Sequence, residues 1–357
     1  MDHQLRRTVL THALASLEVD ALLVTRLPNV RYLTGFTGSN GQVIVSSNGT
    51  VFLTDGRYDQ QSRHEVPDID RVTYLKEREE PIAEHVARLG ILRLAFESHD
   101  VTVRALERLR DKVSGVELIS VDAAVERQRW VKDGEELAQL RLAQAATDRA
   151  FEDILDTLAV GMTERQVALE LEHAMRRAGA DGLSFESIVA FGENAAEPHH
   201  EPNHRALEEG DVIKMDFGAL WGGYHADFTR TIAFGEPPPE LRKIHDIVRE
   251  AQQAGIDAVR AGATGGDVDH VARTVIEDAG YGERFLHGLG HGVGLEIHEG
   301  PNFKRDGEDV LPAGAVMTVE PGIYVPGLGG ARIEDMVEVH EDGCRLVGSS
   351  TRELIEL

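Results

Sequence analysis

The chain has 357 residues, 41% hydrophobic and 28% charged, with 36 glycines and 12 prolines; that profile is globular, and the length points to two domains. Its 62 acidic and 37 basic residues leave a formal charge of -25, which repels nucleic-acid backbones and anionic membranes and excludes polyanion binding as a leading role. The single cysteine, Cys344, rules out an internal disulfide and a thiolate-rich metal cluster. Residues 1–17 lack the basic start and apolar run of an export signal, so a cytoplasmic protein with no membrane partner is expected.

Short β-branched runs at 21–25, 43–46, 51–54 and 92–96 read as strands, and apolar spacing predicts helices at 5–17, 81–89 and 101–113. This alternation gives an α/β domain over residues 1–130. The rhythm then changes. Helices are predicted at 135–158, 163–178, 239–260 and 266–279, separated by glycine-rich strand pairs, so residues 131–357 form a second domain and the chain as a whole is α+β. Leu137, Leu140, Phe151, Ile154, Leu155 and Leu158 share one face of the first of these helices, interrupted by Gln144 and Thr147. Thr163 and Gln166 have capping-box spacing.

Residues 212–220 and 224–234 flank Trp221-Gly222-Gly223 and read as a β-hairpin. Folding about the Trp221-Gly222 bond sets Asp216 opposite Asp227, with Ile213, Met215 and Phe217 on one face and Lys214 and Asp216 on the other. Facing carboxylates repel, and in an apolar setting one must stay protonated unless a cation lies between them. Residues 316–320 and 331–339 form a second candidate hairpin around the turn-rich segment 321–330. Reflection about Gly327 places Glu320 opposite Glu334. Repeated acid pairs from distant segments suggest two related halves.

Between them, Gly288-Leu289-Gly290-His291-Gly292-Val293-Gly294 sets one imidazole among alternating glycines, where backbone can approach whatever the histidine binds. Val293 occupies the position of the third glycine of a dinucleotide fingerprint, so that motif is rejected. One nitrogen with four carboxylates suits manganese, cobalt or zinc. Five protein ligands fit two divalent ions, able to share a hydroxide as nucleophile and polarise a carbonyl for amide hydrolysis. His199, His287 and His298 stand near these segments, while His3, His64, His85, His245, His270 and His340 carry no assignable role.

Residues 214–218 (KMDFG), 226–231 (ADFTRT), 290–294 (GHGVG), 319–322 (VEPG) and 332–335 (RIED) resemble, in order, the five ligand blocks of the pita-bread metallopeptidases. The first 130 residues resemble the creatinase-type N-terminal domain of their proline-specific branch. The resemblance implies Asp216 on one ion, His291 on the other, Asp227 and Glu334 bridging, and Glu320 as ligand and general base. It also implies His199 and His298 against substrate and intermediate, His287 and Arg332 around them, and a homodimer.

Gly35-Phe36-Thr37-Gly38-Ser39, Thr54-Asp55-Gly56-Arg57-Tyr58 and His298-Glu299-Gly300-Pro301 look more like the Xaa-Pro aminopeptidases than the dipeptidases, and Asn302 stands where many dipeptidases carry arginine. Release of the N-terminal residue from Xaa-Pro peptides is therefore the first expectation. The alternative is an Xaa-Pro dipeptidase, with Lys304 or Arg305 capturing the dipeptide carboxylate. A metal-free binding module on the same scaffold is a further rival, as is a metal-free enzyme of the creatinase type.

Overall fold

The computed structural model describes residues 1–357 and divides into two compact units, Met1–Arg129 and Trp130–Leu357. No helix is long and apolar enough to cross a membrane.

In the first unit the elements in chain order are α1 (His3–Ser16), β1 (Ala21–Val24), α2 (Leu27–Thr34), β2 (Gln42–Ser46), β3 (Gly49–Asp55), α3 (Asp59–Glu65), β4 (Asp70–Tyr74), α4 (Glu79–Arg88), β5 (Arg93–Glu97), α5 (Val103–Lys112), β6 (Glu117–Val121) and α6 (Glu126–Arg129). The strands form one mixed sheet, β4-β3-β2-β1-β5-β6. Sequence reading misses β4 and β6, the two edge strands, because they are half exposed and polar and carry no apolar run. It misses α2 because of Pro28, which the structure places in the first turn, where its missing N–H costs nothing.

The second unit begins with α7 (Gly134–Leu155) and α8 (Glu164–Arg177), each started by a capping box, Asp133 with Glu136 and Thr163 with Gln166. Gln144 and Thr147, which interrupt the apolar face of α7, are buried and bonded: Gln144 donates to Asp148 at 2.9 Å and Thr147 Oγ1 accepts from the Ala219 amide at 3.0 Å. There follow β7 (Gly182–Leu183), β8 (Ile188–Phe191), β9 (Val212–Phe217), β10 (Ala219–Trp221), β11 (Tyr224–His225) and β12 (Phe228–Ala233). Ile213, Met215 and Phe217 face a core built with Phe151, Leu171 and Met175 of α7 and α8.

The same plan recurs. Helices α9 (Pro239–Ala258) and α10 (Gly265–Asp278) cover a sheet made from β13 (Gly290–Gly292), β14 (Glu299–Phe303), β15 (Val316–Val319), β18 (Asp335–His340) and β19 (Gly343–Leu346), with β16 (Gly322–Val325) and β17 (Gly329–Arg332) as a separate ribbon. Ile244, Val248 and Ile276 pack there on Met317, Val319 and Val337. Each half therefore buries one sheet face under a helix pair, leaving the other face for chemistry.

Candidate metal centre

The first hairpin corrects the expected register. Gly222 and Gly223 both have positive φ, +56° and +81°, and so form the two central residues of the turn. Trp221 then pairs with Tyr224, and Asp216 faces Thr229 rather than Asp227. The shift is two residues, so side-chain parity survives and both aspartates still point to the same face. Gly218 makes room for this register: a Cβ there would lie 1.9 Å from the Ala226 carbonyl oxygen.

In the second hairpin the reflection holds. Val319 pairs with Asp335 and Gly322 with Arg332, which brackets Glu320 against Glu334. The segment 321–330 is not a plain turn, however, since β16 and the first half of β17 extend the hairpin through it. The hairpins meet at a bridge between Thr229 and Glu334, whose amide donates to the Thr229 carbonyl at 3.0 Å.

The alternating glycines serve a different approach from the one expected. A Cβ at Gly290 would meet the Thr318 carbonyl at 2.2 Å, and one at Gly292 the Gly300 carbonyl at 2.4 Å, so they admit neighbouring strands rather than a ligand. His291 is thereby held in the middle of a close-packed ribbon. Its Nδ1 lies 3.0 Å from the Gly292 carbonyl and so carries the proton of the neutral ring. Nε2 is left to face Glu320 at 3.3 Å and Asp227 at 3.5 Å.

All nine residues singled out from sequence line one cavity of about 600 Å³: Asp216, Asp227, His291, Glu320, Glu334, His199, His287, His298 and Arg332. Ligand atoms of Asp227, His291 and Glu334 lie within 4.8 Å of one another. Burial pushes the Asp227 and Glu334 carboxyls well above the usual range, each reinforced by neighbouring carboxylates. Burial raises Asp216 as well, opposed by its ion pair with Arg332. Burial acts on Glu320 in the same sense, but His291, His287 and Arg332 outweigh it and bring Glu320 down to about 2. Burial lowers His291, and Glu320 with Asp227 overcome this and lift it to about 9.

Two buried oxygens, Asp216 Oδ1 and Glu334 Oε1, have no hydrogen-bond partner. An unsatisfied buried carboxylate oxygen is expensive, and Glu334, gathered with Asp227 and the His291 imidazole nitrogen, belongs to a donor set that a divalent cation satisfies. The residues present therefore fit a metal centre.

Several supporting residues gave no sequence signal. Tyr324 accepts from Arg332 Nη1 at 3.0 Å and lies 2.9 Å from His287 Nε2; because His287 Nδ1 donates to the Gly288 carbonyl, the phenol donates to Nε2. Burial raises Tyr324 to about 12, so this donor stays protonated. Thr318 Oγ1 accepts from the His291 amide and donates to Glu320, while Thr229 Oγ1 takes Arg332 Nε at 3.0 Å. Lys214, fully buried two residues before Asp216, is pushed down to about 6 by burial with Arg332 beside it. Lys304 lines the cavity, whereas Arg305 does not; it pairs with Glu277 at 2.9 Å and is 64% exposed.

Acids that need cations, set at the floor of a cavity sized for a short ligand, define the class of a metal-dependent hydrolase. A family model described as Metallopeptidase family M24 matches residues 138–341, and one described as Creatinase/Prolidase N-terminal domain matches residues 6–131. The chain belongs to metallopeptidase family M24, with the pita-bread fold in its catalytic part. Among its relatives, a protein named Xaa-Pro dipeptidase from Pyrococcus horikoshii is 34% identical over 94% of this chain and 95% of its own length. Among solved structures, an Xaa-Pro dipeptidase from Bacillus anthracis superposes with a TM-score of 0.97 at 38% identity, covering 100% of both chains. An X-Pro aminopeptidase from Thermotoga maritima gives 0.89 at 37% identity, covering 95% of this chain and 98% of that one.

Proposed function

We propose that the protein is an Xaa-Pro dipeptidase, hydrolysing the amide between the first residue and a C-terminal proline. Two divalent cations, manganese by preference, are held by Asp216, Asp227, His291, Glu320 and Glu334, and the working form is a homodimer. The observation that favours a dipeptide is Lys304, the one lysine lining the cavity. Its ammonium can pair with a free proline carboxylate; a proline followed by further residues offers no such charge. Dipeptidase relatives support the same choice, which reverses the order expected from sequence.

Bound cations supply a nucleophilic water at neutral pH and polarise the scissile carbonyl. Around them the chain does the rest. Glu320, the least buried of the four acids, takes the nucleophile's proton and passes it to the departing proline nitrogen. His298, whose ring lies 4.4 Å from that of His291, donates to the developing oxyanion, and His199, which lines the same cavity, contacts the substrate. An Xaa-Pro amide has no N–H to recognise, so the ring is read by shape against Phe185, Ile188 and Ile297. Arg332 and Tyr324 hold Asp216 and His287 in place.

A second reading, release of the first residue from longer Xaa-Pro peptides, is favoured by Asn302 in the cavity wall and by the Thermotoga relative. Comparing kcat/KM for an Xaa-Pro dipeptide and the matching tripeptide in manganese separates the two. A preference for the dipeptide of about 10-fold or more is expected from one charge-assisted contact. Equal or faster cleavage of the tripeptide would establish the second reading instead.

A further inference from the structure

His199 is exposed in the cavity, and neither of its ring nitrogens has a hydrogen-bond partner in the protein. Its place is therefore inherited from its backbone. The adjoining segment, 195–198, turns carbonyl groups towards Lys214 of β9. Lys214 Nζ meets them: it donates to the carbonyl of Glu197, lies 3.3 Å from that of Pro198 and reaches that of Ala195 at 3.5 Å. The Pro198 carbonyl also accepts from Arg332 Nη1 at 3.2 Å. On the far side, His200 is anchored by Glu164 at 2.9 Å and Glu197 at 2.7 Å.

We infer that Lys214 is a positioning residue for His199: it clamps the carbonyls of residues 197 and 198 and so sets where the imidazole stands over the metal centre. The inference rests on the peptidase reading above. Strand alternation puts Lys214 on the same face as Asp216, so β9 presents a ligand and the clamp for a substrate contact side by side. Burying a lysine at 0% exposure is costly, and a hydrophobic residue would have filled the same volume over the Tyr324 ring, which lies 5.2 Å from Nζ. The polar end serves the segment. A neutral amine still carries two N–H groups, so the clamp on Glu197 and Pro198 does not depend on the lysine's charge.

The test uses Lys214→Met, which keeps the stem and removes the donor, with Lys214→Gln in reserve should the first fail to fold. In the metal-free protein, hydrogen exchange of the non-proline amides within 195–203 is expected to quicken by at least about 10-fold in the variant, with the remainder of the chain unchanged. In the manganese-loaded enzyme, Lys214→Met and His199→Ala are each expected to lower kcat for an Xaa-Pro dipeptide, by up to about 10²-fold. The double variant is expected to be no worse than His199→Ala alone. Metal content should match the parent protein. Unchanged exchange, losses that multiply in the double variant, or loss of metal from Lys214→Met each overturn the proposal. Should the parent enzyme not cleave Xaa-Pro dipeptides, the proposed function fails, and the exchange result still decides whether Lys214 holds the segment.

Discussion

Thr229 Oγ1 donates to Glu334 Oε2 at 2.7 Å, while the other oxygen of the same carboxylate, Oε1, is buried without a partner. One half of Glu334 is thus fixed by the protein and the other half is held ready for a cation. Glu334→Gln preserves the threonine bond and removes the charge. Metal content measured by elemental analysis should fall, and turnover should drop by more than about 10²-fold, beyond what loss of a mere supporting contact costs. At neutral pH the metal-free variant should melt at least about 2 °C higher, the shift for roughly 1 kcal/mol in a unit of this size, since a buried carboxyl no longer has to be kept protonated. Full metal content in the glutamine variant would remove Glu334 from the ligand set.

Metal removal should also set the pH dependence of stability. Asp227 and Glu334 have carboxyls raised in the folded chain, and His291 is raised to about 9. A group whose folded pKa exceeds its unfolded one stabilises below the unfolded value, and that contribution is lost as pH rises through the folded value. The contribution of these three groups in the metal-free protein is therefore expected to be lost as pH rises from the ordinary carboxylate range, about 4, to about 9, while Lys214, held down to about 6, works against that loss above pH 6. Glu320, lowered to about 2, acts oppositely and matters only as pH falls below the carboxylate range. Manganese, which binds the deprotonated groups, should flatten or invert the alkaline loss. Melting curves of the metal-free parent and of metal-free Glu334→Gln across this range check the sign, Lys214 being common to both; a parent that gains stability on the variant towards pH 9 would contradict it.

Lys304→Met should separate the two substrate classes. If the ammonium holds the proline carboxylate, KM for an Xaa-Pro dipeptide should rise about 10- to 10²-fold, the value of one charge-assisted contact, with a far smaller change for the tripeptide. Equal effects on both would show that Lys304 does not read the chain end.

Much of the centre was legible because parity is robust. The turn at Gly222-Gly223 displaces the first hairpin by two residues from the expected register, yet Asp216 and Asp227 stay on one face; a shift of one would have separated them. Glu320 and Glu334 were found by reflection because β15 and β16 share one register with β18 and β17. What sequence could not give were the contacts made across folds of the chain. Tyr324, Thr318 and Thr229 look like ordinary strand residues until the strands are assembled, and Lys214 looks like a solvent-facing charge until 195–198 closes over it. Polar edge strands such as Asp70–Tyr74 were missed for the opposite reason, because half-exposed positions need no apolar pattern.

Glu299, which follows His298, is held by Lys132 at 2.7 Å in an ion pair with side-chain exposures of 1% and 3%. Its carboxylate reaches this seat because Gly294 has no Cβ, which would otherwise lie 2.4 Å from Oε1. A buried pair contributes little net of desolvation, but removing one member leaves the other charge stranded. Lys132→Met should therefore destabilise the catalytic unit by about 3–5 kcal/mol, and Lys132→Met combined with Glu299→Gln should recover most of that loss. Because Glu299 starts the strand behind His298, the single variant should also lower kcat more than it raises KM. Thermal melting of the loaded proteins with parallel kinetics tests both parts: a loss under about 1 kcal/mol would place this contact with exposed surface pairs, and a double variant no better than the single would show that the stranded carboxylate is not the source of the damage.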